Sequence, residues 1–137
     1  MRNGRWLRQP ASLRLDDASV AFTTSPRTDL WQRTYYGFRT DNAPALLLAT
    51  TANSTLTVRV SFDYQHRFDQ AGVLVHRDSD HWAKASVEFE DPDLSRLGSV
   101  VTNRGYSDWA TRDVPTPRRM WYQVSRRGPD FLIQACA

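Results

Sequence analysis

Leu56, Val58, Val60 and Phe62 alternate with Thr57, Arg59, Ser61 and Asp63, and no long helical period competes with this spacing elsewhere in the chain. Successive side chains of a strand point to opposite faces, so the pattern predicts one apolar and one polar face. Glycine, proline and asparagine divide the remaining chain into short segments of the same kind. Residues 19–23, 34–40, 45–50, 71–76, 82–90, 100–103, 120–125 and 131–135 read as further strands. Asp41-Asn42-Ala43-Pro44 and Ala52-Asn53-Ser54 read as turns, and Asp91-Pro92-Asp93 ends a strand because proline cannot donate to a ladder. Many short strands at this spacing imply an all-β sandwich of antiparallel sheets.

Composition narrows the classes. The 137 residues are expected to form a single domain, residues 1–137, with enough chain for a real core. Hydrophobic residues at 40% and charged residues at 24% fit a globular protein rather than a disordered one. No apolar run reaches bilayer length, and the start has no secretory hydrophobic stretch, so no membrane partner and a cytoplasmic location are expected. Cys136 is the single cysteine and excludes an internal disulfide. The net charge is only +3, and basic pairs such as Arg118-Arg119 are interrupted by acidic residues, so no nucleic-acid partner is expected.

One strand carries more chemistry than the rest. Trp82, Lys84, Ser86, Glu88 and Glu90 share one face of the 82–90 segment, and Ala83, Ala85, Val87 and Phe89 share the other. Lys84 is the only lysine; the other seventeen of the 18 Lys and Arg residues are arginine. An ammonium differs from a guanidinium in geometry and hydration. Two readings of this face stay open. It is a solvated face with Trp82 covering a neighbour, or it is a binding face.

Five blocks in order carry a resemblance. They are Thr28-Asp29-Leu30-Trp31-Gln32-Arg33-Thr34-Tyr35-Tyr36-Gly37-Phe38, Asp69-Gln70-Ala71-Gly72-Val73-Leu74-Val75, Trp82 to Glu88, Ser99-Val100-Val101-Thr102, and Tyr106-Ser107-Asp108-Trp109. Together they resemble the concanavalin A-like family of unknown function labelled regulation-of-enolase or YesU-like. The resemblance implies a jelly-roll β-sandwich whose concave sheet, in related lectins and glucanases, holds carbohydrate. It also implies a chain shortened at the C-terminus, lacking the family's last strands and leaving an exposed sheet edge after Phe131. That edge is a place for a protein partner or a second copy.

The expected function is non-catalytic binding of a carbohydrate or similar small polar ligand on the concave sheet. Gln70, Trp82, Lys84, Glu88, Tyr106, Asp108 and Trp109 are the expected binding residues. Trp82 or Trp109 would be an aromatic platform, Lys84 a donor, Glu88 and Asp108 acceptors, and Gln70 both. Tyr106 to Trp109 is expected to form a loop that converges on the same surface. Removing Lys84 is then expected to shift stability by no more than ~0.5 kcal/mol, as for a surface charge.

Two other readings stand beside this one. Glu88 and Glu90 lie ~6.6 Å apart along a strand, a spacing that a glycoside-acting enzyme could use. A regulatory protein-interaction module would use no sugar at all. No metal and no cofactor are expected, because His66, His76 and His81 lack zinc spacing and no phosphate-binding loop is present.

Overall fold

The computed structural model describes residues 4–137, and among them every regular element is a strand. Three short antiparallel pairs come from the first part of the chain. β1 (Arg5–Trp6) pairs with β6 (Leu46–Leu47), β2 (Ser12–Leu15) with β3 (Val20–Thr23), and β4 (Leu30–Gln32) with β5 (Arg39–Asp41). β7 (Asn53–Ser61) begins the longer strands. It forms one edge of a three-stranded sheet with β12 (Arg119–Arg127) at the centre and β13 (Asp130–Cys136) at the other edge. β8 (Gln70–Asp78), β9 (His81–Phe89), β10 (Leu94–Asn103) and β11 (Tyr106–Pro115) follow one another as a four-stranded antiparallel meander.

The alternation of β9 builds two cores. Ala85 and Val87 point toward the three-stranded sheet and pack in one buried cluster with Met120 and Tyr122. Val58, Val60, Val73, Leu97, Ile133 and Ala135 close round them. Both sheets contribute apolar faces, which makes this a β-sandwich, and each fully buried Val-sized side chain contributes about 1.5–3 kcal/mol. On the opposite face of the meander, Trp82 and Val100 pack with Leu30 and Trp31 of β4, joined by Ala43 and Leu74. β4 is therefore a partial cover over the outer face.

Buried polar bonds fasten that cover. The Gln32 N–H donates to Ser107 Oγ at 2.9 Å, and Ser107 Oγ lies 2.7 Å from Thr102 Oγ1. The Gln32 side-chain amide also donates to the Ser79 carbonyl. These donors are satisfied away from water, while Gln32 Oε1 has no partner among the described residues.

Several expected segments differ: 45–50 is strand only at Leu46–Leu47, and Asn53 and Ser54 of the expected turn already belong to β7. Residues 34–40 are mostly a turn, with only Arg39 and Thr40 entering β5. Arg33, Tyr35 and Gly37 all adopt positive φ there (59°, 64° and 77°), and Tyr36 N and Gly37 N bond locally to Thr34 O and Arg33 O. Alternating aromatics mimic a strand in sequence, but left-handed residues curl the backbone. The stretch from Tyr106 to Trp109, expected as a loop, is the start of β11.

Candidate functional site

β-pairing puts three rows of residues across the outer face of the meander. The first row is Leu74, Lys84, Val100 and Trp109; the second is Gly72, Ser86, Gly98 and Thr111; the third is Gln70, Glu88, Arg96 and Asp113. Paired residues share a face. The β4 cover lies over Leu74 and Val100 and stops at Asp29, whose backbone and side chain are held by the Asn42 turn and the Leu30 N–H. The middle and third rows lie beyond it.

The middle row is a strip of small residues over which its neighbours lean. A Cβ on Gly98 would lie 2.6 Å from Trp109 Nε1, so the indole rests on this glycine. A Cβ on Gly72 would lie 1.9 Å from the Ala85 carbonyl oxygen, so the backbones of β8 and β9 meet too closely for any side chain. Ser86 alone stands between them in this row. Trp109 stands at one side of the strip, 36% exposed.

Gln70 organises the other side. Its Oε1 accepts from Lys84 Nζ at 3.0 Å and from Ser86 Oγ at 3.2 Å, and its Nε2 donates to Glu88 Oε2 at 3.2 Å. Lys84 Nζ also donates to Asp29 Oδ1 at 3.2 Å, forming an ion pair with a lysine side chain only 12% exposed. Burial pushes the Glu88 carboxyl above the ordinary glutamate range. Lys84 and Arg96 oppose that rise, while the charges of Asp29 and Glu90 add to it.

Gln70, Lys84, Glu88 and Trp109 thus gather on one face of the meander. Three other expected site residues do not join them. Trp82 is 5% exposed inside the β4 core, so it packs against Leu30, Trp31 and Val100 and offers no platform. Asp108 pairs with Val101, on the opposite face of the sheet from Lys84 and Trp109, because β11 alternates where a converging loop was expected. Tyr106 shares that parity and sits at the strand end under the Arg33 guanidinium, 5.6 Å from its ring centre. Lys84, read as a surface charge, is a largely buried group with two polar partners.

Asp29 and Ser86 enter the network without having been expected there. Ser86 could have been found from its parity with Lys84. Asp29 lies 55 residues from Lys84, and no local pattern connects them.

Glu90 is ill-placed as a second catalytic carboxylate. It is 9% exposed and held by Arg67 Nε at 2.7 Å and Arg96 Nε at 3.1 Å. Among the described residues no three His, Cys, Asp or Glu side chains come together as a metal site.

The family model described as protein of unknown function (DUF1349) matches residues 6–137. The chain belongs to this family. Regulation of enolase protein 1 from Saccharomyces cerevisiae is 40% identical over 111 residues, which is 81% of this chain and 55% of that protein. The chain therefore aligns with little more than half the length of that curated relative. A crystal structure of a functionally unknown protein from Saccharomyces cerevisiae superposes with a TM-score of 0.89 at 36% identity, covering 98% of this chain and 72% of the other. The β-sandwich of this DUF1349 chain is thus matched by an experimental relative over almost all of its length.

Proposed function

We propose that this DUF1349 domain binds a carbohydrate or similar small polar ligand, without turning it over, on the strip between Trp109 and the Gln70 network. One observation carries the reading. The Trp109 indole, resting on Gly98 of β10, stands beside a linked amide, ammonium and carboxylate on β8 and β9. Sugars combine apolar C–H faces with fixed hydroxyls, and such a pairing offers stacking to one and directed hydrogen bonds to the other. Thermal melts with a sugar panel test this, since a ligand that binds only the folded state raises the melting temperature. A rise that disappears in Trp109→Ala supports the reading, and an unmoved melt across neutral, acidic and amino sugars overturns it.

A second reading is a regulatory protein-interaction module. The name of the yeast relative, Regulation of enolase protein 1, is compatible with it. The observation in its favour is the turn after β4, where Tyr35 is 92% exposed and stacks edge-on with Tyr36, itself packed on Phe38. Exposed aromatic clusters serve protein contacts. Pull-down with wild type and with Tyr35→Ser/Phe38→Ser separates the readings, because those residues lie outside the proposed strip.

A further inference from the structure

Charge pairing at the strip specifies its ligand more closely than the word carbohydrate does. Lys84 is paired with Asp29 at 3.2 Å. Arg96 and Arg67 are both paired with Glu90, at 3.1 and 2.7 Å. Glu88 faces Lys84, Arg96, Asp29 and Glu90, yet among the described residues it has no ion pair. Its Oε2 accepts instead from the neutral amide of Gln70. A carboxylate partly withdrawn from water with no cation of its own is the group at this site that a ligand can relieve.

Resting on the carbohydrate reading above, we infer that the ligand carries a protonated amine: an amino sugar whose ammonium meets Glu88 while its C–H face lies on Trp109. An acidic sugar would have to take Lys84 from Asp29 and would meet the carboxylate of Glu88. A neutral sugar would leave Glu88 without a counter-charge. Glu88 and Trp109 stand two row steps of ~6.6 Å apart along the strands, but the Trp109 indole leans back onto Gly98, one row and one strand from Glu88. One ligand can reach both.

The test is isothermal titration of the full chain with a glucosamine tetramer, its fully N-acetylated form, a glucose tetramer and a glucuronate-containing tetramer. The amine form is expected to bind about tenfold more tightly than its acetylated form, as for one charge-assisted hydrogen bond. Glu88→Gln, confirmed as folded by its melt, is expected to erase that preference. Equal binding of the amine and acetylated forms, both weakened by Trp109→Ala, overturns the amine inference and leaves the carbohydrate reading intact. Preference for the acidic tetramer also overturns it. Failure of all four to bind wild type overturns both.

Discussion

The orientation of the Gln70 amide is dictated by Lys84. The ammonium can only donate, so the Gln70 oxygen must face it, at 3.0 Å, and the amide nitrogen is turned toward Glu88 at 3.2 Å. One cation thereby sets the donor that a carboxylate four residues further along β9 receives. Asp29, at the end of the β4 cover, holds the same ammonium and so links the cover to the network.

Lys84→Ala is therefore expected to destabilise the fold by about 2 kcal/mol, since hydrogen bonds to charged groups contribute ~1.5–3 kcal/mol. Lys84→Met keeps a long apolar stem between its row partners Leu74 and Val100 and is expected to lose less. Urea midpoints of the two variants check this. Equal midpoints for wild type and Lys84→Ala would mean the lysine does no structural work.

Glu88 predicts a pH signature. Its folded value lies above the ordinary 4.5, so ionisation is harder in the folded state than in the unfolded one. Its contribution to stability is fully present below 4.5 and is lost as pH rises through the folded value. Wild type is thus expected to lose stability relative to Glu88→Gln as acid is neutralised. Melting both proteins across that range checks the sign, and a gap that widens in the opposite direction contradicts it.

The legible parts of this structure were those decided by a period of two within one segment. Leu56 to Phe62 and Ala83 to Phe89 declare their faces locally, and Ala85 and Val87 lie where that alternation puts them, in the core between the sheets. Family resemblance placed Gln70, Lys84 and Glu88 near each other. What stayed hidden depended on distant pairing. Nothing around Trp82 announces that Leu30 and Trp31 will cover it, and Asp29 meets Lys84 only after the chain folds back. Tyr106 to Trp109 conceals its strand for a different reason. Its mixed polarity looks like a turn, yet as an exposed edge strand it needs little apolar content, and its parity sends Asp108 away from the site.

Burial of Trp82 makes a further prediction. Its Nε1 has no hydrogen-bond partner among the described residues, so the indole N–H contributes nothing that phenylalanine would lose. Trp82→Phe is expected to change stability by about 1 kcal/mol or less, the missing ring volume offsetting the removed polar group. Trp82→Ala leaves a cavity against Leu30, Trp31 and Val100 and is expected to cost about 3–5 kcal/mol. Denaturation curves of the pair distinguish packing from a surface platform, for which both changes would be nearly silent.

Gly98→Ala addresses the strip itself. The new methyl would sit 2.6 Å from Trp109 Nε1 and 3.2 Å from the Ala110 carbonyl oxygen, so the indole must leave its place. The substitution is expected to cost about 1–3 kcal/mol, typical of overpacking, and to change tryptophan emission. In a Trp109→Ala background the indole is absent, and the same methyl should cost clearly less. A double-mutant cycle measures that difference directly. Coupling indistinguishable from zero would show that Trp109 does not rest on Gly98, and the wall of the proposed ligand strip would go with it.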